Sequence, residues 1–266
     1  SSLSANPMVG SPSFLRATIG QRLQRRYGRA VLASWPPGGF LRRLLRAIVA
    51  IAALIAALPV VLTVVYAFVD PPALPILRRE FAGERVDQRW VRLSDVAPPL
   101  ARSVIMAEDA RFCLHYGVDL RQLRIVLRDA LSGERPRGAS TITMQTVKTL
   151  FLWPERDYLR KALEVPLAAW MDLVLSKDRI LEIYLNVAQW GGSVYGIEAA
   201  AQHYFGRSAS ALTVQQSLAL ATTLPAPAAR DPRKPSRRQR AVMAHVAREL
   251  DRAPWVFTCL SDRIRP

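Results

Sequence analysis

The hydrophobic pattern of the chain is dominated by one uninterrupted apolar segment near the amino terminus. Residues 47–69 carry no charged side chain over 23 positions. At about 1.5 Å of rise per residue a helix of this length reaches roughly 34 Å, and the hydrocarbon core of a bilayer is about 30 Å thick. We therefore predict a transmembrane helix over 47–69. Pro59 is expected to kink this helix without ending it, since a break exposed to lipid would leave backbone groups unbonded.

The charges on either side of this segment predict its orientation. Residues 1–46 contain eight Arg and no Asp or Glu, whereas Asp70 begins the other flank. Because basic residues collect on the cytoplasmic side, residues 1–46 are predicted to form a basic cytoplasmic tail, and the chain after the span is predicted to lie outside the cytoplasm. A cleaved signal peptide is the alternative. Its apolar core is usually about 7–15 residues long, which favours an uncleaved single-pass anchor here.

Beyond a linker at 70–92, apolar residues recur at spacings of three and four, a pattern typical of amphipathic helices and not of strands. The clearest case is 120–131, where three Arg separate the apolar positions; this helix either packs on a core or dips into a membrane leaflet. Further helices are predicted over 144–152, 161–175, 178–187, 197–204, 213–223 and 240–252. The predicted fold class is mainly α, with one domain over 93–250 and a C-terminal tail over 251–266.

Composition narrows the class of partner and the compartment. The net charge is +16, of which +8 belongs to residues 1–69 and +8 to residues 70–266. Such a basic chain suits nucleic acid, anionic lipid or a phosphorylated substrate, but the sequence has no zinc-finger spacing, RNA-binding signature or heptad repeat. Lipid and phosphorylated substrates are therefore favoured. The two cysteines, Cys113 and Cys259, are able to pair in an oxidising compartment, and the sequence leaves their pairing open.

The first candidate for chemistry is Glu108, which follows the apolar run 104–107. On a continuous helix Glu108, Phe112 and His115 would share one face. A carboxyl group against an apolar wall has a raised pKa, which suits proton transfer. The alternative is a solvated Glu108 paired with Arg111, and from this segment alone the alternative is favoured. His115 taken alone is more often a hydrogen-bonded structural histidine than a catalyst.

A second candidate region follows at 138–164. Ser140 and Thr141 precede a predicted helix, where small hydroxyl residues are ordinary N-caps. The free N–H groups of such a helix start also suit a phosphate. Cations and one carboxylate follow in the order Lys148, Arg156, Arg160, Lys161 and Glu164. Such a series is commonly a solvated helix face and less often a clamp for pyrophosphate and metal.

Five motifs in a fixed order connect these candidates. They are E-D-x-x-F-x-x-H-x-G at 108–117, G-x-S-T-I-T-x-Q-x-x-K at 138–148, R-K-x-x-E at 160–164, K-x-x-I-L-E-x-Y-L-N at 177–186 and Y-G-I-E-A-A-A-Q-x-Y-F-G at 195–206. Over about residues 93–250 the chain thereby resembles the peptidoglycan glycosyltransferases, lysozyme-like enzymes that polymerise lipid II. The S-x-x-K, S-x-N and K-T-G set of a transpeptidase does not occur. The resemblance is therefore to the monofunctional biosynthetic transglycosylases, and we expect no transpeptidase activity.

The resemblance implies an inverting transfer with undecaprenyl pyrophosphate as leaving group. Glu108 would be the general base that takes the proton from the 4-hydroxyl of the acceptor N-acetylglucosamine. The leaving charge would be stabilised by Lys148, Arg156, Arg160 and Lys161. Glu164 would position either a divalent cation, Mg or Mn, or the cationic groups. The resemblance assigns Ser140, Thr141 and Gln145 to the donor cleft, and Asp109, His115 and Asn186 to shaping the site. It also makes 120–131 a membrane-dipping element.

Three positions depart from the family's usual pattern. They are Thr149, Gln189 and Gln216, and we expect activity to survive them. Two other functions stay open: a lysozyme-like hydrolase or lytic transglycosylase, which would use Glu108 as an acid on finished glycan, and a non-catalytic membrane scaffold of the wall-synthesis machinery. The expected partners are lipid II, the growing glycan, the membrane and proteins of wall synthesis or division, with no nucleic acid. The expected location is the bacterial inner membrane, with the catalytic domain in the periplasm.

Overall fold

The structure, a computed structural model, describes residues 38–133, 140–155 and 157–265. Within these residues it is helical with three isolated β-bridges and no strand, which confirms the mainly α prediction. The α-helices are α1 Gly38–Val65, α2 Leu74–Phe81, α3 Pro98–Glu108, α4 Leu120–Leu131, α5 Ile142–Phe151, α6 Tyr158–Val174, α7 Lys177–Val187, α8 Ile197–Phe205, α9 Val214–Ala221 and α10 Arg237–Arg252. Short 3-10 helices cover Leu93–Asp95, Phe112–Leu114, Ala209–Ala211 and Pro254–Phe257.

The chain divides into two compact units, residues 1–56 and residues 57–266. In the first unit the described residues belong to α1, and most of the predicted basic tail lies outside the described residues. The part of α1 from Gly39 to Val65 is long and apolar enough to cross a membrane. This helix continues through Pro59, as predicted, and the Thr63 hydroxyl donates to the Pro59 carbonyl at 2.7 Å.

Side-chain caps explain where several helices of the second unit begin. The first turn of a helix leaves backbone N–H groups without partners, and a preceding side-chain oxygen accepts one of them. Thr141 does this for α5, Asp157 for α6, Ser176 for α7 and Ser236 for α10. Thr213 begins α9 with a full capping box. These caps fix the starts of the two helices, α5 and α6, that carry most of the candidate site.

The centre of the second unit is α7, whose residues from 183 to 187 are all buried. Helices α5 and α6 pack on it and on each other, while α3 packs against α9. Trp190 and Phe112 are the largest side chains that are fully buried among the described residues. This packing brings the carboxyl end of α3 to the amino ends of α5 and α6.

The segment after residue 250, which we predicted to be a tail, packs on the domain. Phe257, Leu260 and Ile264 are buried. Cys259 forms a disulfide with Cys113, which answers the question the sequence left open. The carboxyl-terminal segment is thus fastened to the 3-10 helix that follows Glu108 and Asp109.

Candidate active site

Glu108 is the last residue of α3, and the helix ends there. The prediction that Glu108, Phe112 and His115 share a helix face is therefore wrong. Asp109 leaves the helical conformation, with φ −157° and ψ 68°. Its carboxylate accepts hydrogen bonds from the Ile142 backbone N–H at 3.0 Å and from His115 Nε2 at 2.9 Å. Asp109, held by these contacts, turns the chain away from the helix axis.

The Glu108 carboxylate lines a cleft of about 250 Å³ together with Asp119, Gln122, Ser140 and Thr141. It accepts a hydrogen bond from Gln145 Nε2 at 3.0 Å. Burial raises the pKa of Glu108, the hydrogen bond from Gln145 lowers it, and the negative charge of Asp109 raises it. The result is a raised pKa, as expected for an acid–base group.

The alternative interpretation of this segment required an ion pair between Glu108 and Arg111. Arg111 instead pairs with Asp119. Its Nε lies 2.9 Å from Asp119 Oδ2, and both residues line the cleft. Glu108 is therefore held by a neutral amide and not by a solvated ion pair.

The buried pair of Asp109 and His115 joins the first two motifs. Asp109 holds the first turn of α5 through Ile142, and Thr141 donates from Oγ1 to the Gly117 carbonyl at 2.5 Å. Gly117 has φ +75°, and a Cβ at this position would lie 2.1 Å from the Ala168 carbonyl oxygen. Glycine is thus required here by both conformation and space. The segment 109–117 is clamped between α5 and α6.

A cluster of charges lies at the first turns of α6. The Lys161 ammonium is 2.8 Å from Glu164 Oε2 and 2.8 Å from the Ser140 hydroxyl oxygen. The Arg160 guanidinium pairs with the other oxygen of Glu164, whose side chain is buried. Burial, and then the charges of Arg160 and Lys148, lower the pKa of Lys161 to about 8. We call Arg160, Lys161 and Glu164 the cation cluster.

Lys148 on α5 connects the two ends of the site electrostatically. Its positive charge lowers the pKa of Glu108 and also that of Lys161, so it is near enough to influence both. Ser140 likewise lines the cleft of Glu108 while accepting a hydrogen bond from Lys161. Arg156, the remaining predicted cation, lies outside the described residues.

Asn186 is placed apart from these residues. Its buried amide donates to the carbonyls of Val91 and Glu182, each at 2.8 Å, and accepts from the Val91 N–H at 2.9 Å. These bonds fasten the predicted linker to α7. Asn186 stabilises the fold of the segment before α3, and the hydrogen bonds of its side chain go to that segment and to α7.

Two further residues of the site were not predicted. Tyr184 is buried on α7 and its hydroxyl donates to Gln145 Oε1 at 3.2 Å, so it turns the amide nitrogen of Gln145 toward Glu108. Arg230 donates to the Thr222 carbonyl at 2.6 Å, and its charge lowers the pKa of Glu108. Tyr184 lies inside the fourth motif, whereas no sequence signal distinguishes Arg230 from the many other arginines.

The donor set around Glu164 bears on the predicted divalent cation. Both carboxylate oxygens already contact a protein cation, Arg160 on one side and Lys161 on the other. Among the described residues there is no group of three His, Cys, Asp or Glu side chains placed to hold a metal ion. Hard divalent cations are held by several oxygen ligands. These residues therefore do not fit a metal ion held by the protein alone at Glu164.

Comparison with known proteins gives a consistent result. A family model described as transglycosylase matches residues 76–251. A protein of Mesorhizobium japonicum named biosynthetic peptidoglycan transglycosylase is 50% identical over 223 residues, which cover 83% of this chain and 94% of that protein. A protein of Brucella suis biovar 1 with the same name is 52% identical over 208 residues, which cover 77% of this chain and 93% of that protein.

Proposed function

The chain belongs to the transglycosylase family and is a membrane-anchored peptidoglycan glycosyltransferase, and on this premise we propose that it polymerises lipid II by inverting transfer and releases undecaprenyl pyrophosphate. One observation carries the proposal: Glu108, a carboxyl group with a raised pKa, lines the same cleft as Ser140, and Ser140 accepts a hydrogen bond from Lys161 of the cation cluster. A proton acceptor and a site for a leaving anion are the two devices this reaction needs.

Glu108 performs the proton transfer in this scheme. Its ionised carboxylate takes the proton from the 4-hydroxyl of the acceptor sugar while that oxygen attacks the anomeric carbon of the donor. The bond from this carbon to the pyrophosphate oxygen breaks, and its electron pair leaves with the pyrophosphate. The raised pKa of Glu108 lets the carboxyl group keep the proton it has taken. Gln145, oriented by Tyr184, holds the carboxylate in place.

The cation cluster stabilises the departing pyrophosphate. Arg160 and Lys161 are held by Glu164 before substrate arrives, so little reorganisation is needed when negative charge develops. Lys161 has a pKa of about 8 and is therefore mostly protonated at neutral pH. Lys148 adds a positive charge that acts on both the base and Lys161. Of the two roles expected for Glu164, the geometry supports positioning the cations, and no step is assigned to a metal ion.

The cation cluster also favours transfer over the alternative of hydrolysing finished glycan. A hydrolase of the lysozyme type releases an uncharged sugar hydroxyl and has no use for a preorganised anion site. A buried Glu164 paired with two cations would be an unexpected feature for a non-catalytic scaffold, since replacing such a buried charged group by apolar residues is often neutral or stabilising.

We further propose that α1 crosses the inner membrane with its amino end in the cytoplasm and that the catalytic unit lies in the periplasm. The eight Arg before residue 47 support this orientation. The Cys113–Cys259 disulfide supports it independently, because disulfides persist in oxidising compartments such as the periplasm.

The test is polymerisation of labelled lipid II by the purified full chain in vesicles. Glu108→Gln should reduce the rate by about 10²–10⁴-fold, the usual contribution of a general base, while lipid II binding is kept. Glu84→Gln is the matched control, because Glu84 is half-exposed in a surface ion pair with Arg79. Unchanged polymer yield in Glu108→Gln would contradict the base assignment, and cleavage of finished glycan by the wild type would favour the hydrolase.

A further inference from the structure

The disulfide joins the candidate active site to the end of the chain. Cys113 lies in sequence between Asp109 and His115, the buried pair that follows the base. Its partner Cys259 belongs to residues 254–265, which we call the C-terminal strap. The strap is thus linked covalently to the segment that connects the base to the first turn of α5.

The noncovalent contacts of the strap lead to the same segment. Its 3-10 helix, Pro254–Phe257, packs against the 3-10 helix Phe112–Leu114, and each contributes a fully buried phenylalanine. Further along the strap, the Ser261 N–H donates to the Asp178 carboxylate at 3.1 Å, at the start of α7. The strap therefore packs directly on the short helix that separates Asp109 from His115.

The position of the His115 ring depends on this short helix. Its Nε2 lies 2.9 Å from Asp109 Oδ1, whereas Nδ1 is buried and has no hydrogen-bond partner among the described residues. The ring meets the Phe112 ring edge-on, with 6.4 Å between the centroids. Because hydrogen bonds hold one side of the imidazole ring only, a shift of the backbone at 112–114 moves His115. Asp109 would follow, and with it the bond to the Ile142 N–H of α5.

The disulfide is open to attack from solvent. Cys259 is exposed, and Cys113 is half-buried. Exchange of a disulfide begins when a thiolate attacks a sulfur atom that it can reach. Cys259 Sγ is therefore the expected point of attack, with Cys113 Sγ as the leaving sulfur.

We propose that the Cys113–Cys259 disulfide is a reversible modification site, through which a dithiol protein of the thioredoxin class slows the glycosyl transfer. This inference rests on the reaction and the location given in the proposed function. The oxidised form is the fully active one. Reduction releases the strap from the short helix at 112–114 and loosens the pair of Asp109 and His115. The disulfide is thus a positioning device for the chain that follows the base.

The exchange balances in two steps. A thiolate of the dithiol protein attacks Cys259 Sγ, the Sγ–Sγ bond breaks, and Cys113 leaves as a thiolate that takes a proton from water. The second thiolate of the dithiol protein then attacks its own sulfur in the mixed disulfide, and Cys259 leaves and is protonated in the same way. Two electrons pass to the chain, and the dithiol protein becomes a disulfide.

Polymerisation of labelled lipid II by the purified full chain in detergent tests the effect on activity. After treatment with reduced thioredoxin, kcat should fall by up to about 10²-fold, since small misplacements away from the reacting atoms can cost this much. KM should stay the same, because the ion pairs and hydrogen bonds that hold the cation cluster involve no residue of the strap. Reoxidation should restore kcat. The double variant Cys113→Ala with Cys259→Ala is the matched control, and it should show the low kcat with and without thioredoxin.

Hydrogen exchange of the backbone amides separates a local effect from unfolding. Reduction should speed exchange at 110–117 and in the strap, and leave α5 and α6 unchanged. Faster exchange throughout the domain would assign the loss of rate to unfolding and overturn the proposal.

Alkylation of the cysteines, followed by mass spectrometry, measures the extent of reduction. Thiols that stay unreactive after thioredoxin treatment, or an unchanged kcat after complete reduction, would each overturn the proposal. In both cases the proposed function stands, provided that the wild type polymerises lipid II. An oxidised wild type that makes no polymer would contradict the proposed function itself.

Discussion

Removal of the disulfide between Cys113 and Cys259 should lower the free energy of unfolding substantially. The two residues are 146 positions apart in sequence. Cross-linking a 100-residue loop removes chain entropy worth about 4.7 kcal/mol, and the effect grows with the logarithm of loop length, so this loop corresponds to about 5 kcal/mol. For a domain of this size about 1 kcal/mol lowers the unfolding midpoint by about 2–4 °C. Cys113→Ser with Cys259→Ser should therefore unfold about 10–20 °C below the wild type.

The assay is thermal unfolding of the full chain in detergent, followed by near-ultraviolet circular dichroism with and without reductant. The chain has two cysteines, so the double variant has no thiol and should not respond to reductant. Cys259 is exposed, and the reductant should reach it in the folded wild type. Limited proteolysis should then cut first within 251–265, where Phe257 and Leu260 pack. A wild-type midpoint that is unchanged on complete reduction would refute the reasoning.

Two further predictions concern charged side chains. The kcat/KM of the wild type should fall as the pH rises through about 8, because Lys161 loses its proton there. Lys161→Arg stays charged and should move this fall to higher pH. Initial polymerisation rates measured across pH test both statements. Lys177 lies 2.6 Å from buried Asp172 and 2.8 Å from the His115 carbonyl, so Lys177→Met should lower the free energy of unfolding by about 3–5 kcal/mol. Adding Asp172→Asn should recover part of this loss in denaturant titrations, and no recovery would contradict the ion-pair explanation.

Most of the helices could be predicted from the sequence because their signals are local. The spacing of apolar residues and the hydroxyl or carboxyl caps act within a few positions, and the segments 178–187 and 197–204 were placed almost as the structure has them. The end of α3 was not predictable in this way. Phe112 and His115 keep the helical spacing, but the partner that turns Asp109 out of the helix is the N–H of Ile142, 33 residues away.

The same distinction applies to the candidate site: residues within the motifs were predictable, and residues placed by tertiary packing were not. Glu108, Ser140 and Lys161 were identified because they belong to ordered motifs, and the structure brings them to one cleft and its margin. Arg230 was missed because its role comes from the loop after α9, whose course depends on the packing of α9 against α3. The carboxyl-terminal segment was predicted to be a tail because it is short and follows the region covered by the motifs, although its apolar residues Phe257, Leu260 and Ile264 belong to the core.

The electrostatics of the site pose a conflict that Glu164 can resolve. Glu108 needs a raised pKa to accept a proton, yet cations near it lower that pKa, as Lys148 and Arg230 do. Glu164 contacts Arg160 and Lys161, and its negative charge reduces the positive potential that reaches Glu108. Replacing Glu164 by Gln should therefore lower the pKa of Glu108 relative to its value in the wild type.

In kcat/KM this change appears as a shift of the acid limb to lower pH, together with a reduced maximal rate. The opposite sign is expected if Glu164 instead holds a divalent cation. Loss of that cation with the Glu164→Gln change would remove positive charge from the site, so the pKa of Glu108 would rise and the acid limb would move to higher pH. Initial rates of Glu164→Gln and wild type across pH, each in the presence of Mg²⁺ and of chelator, separate the two roles by the direction of one shift.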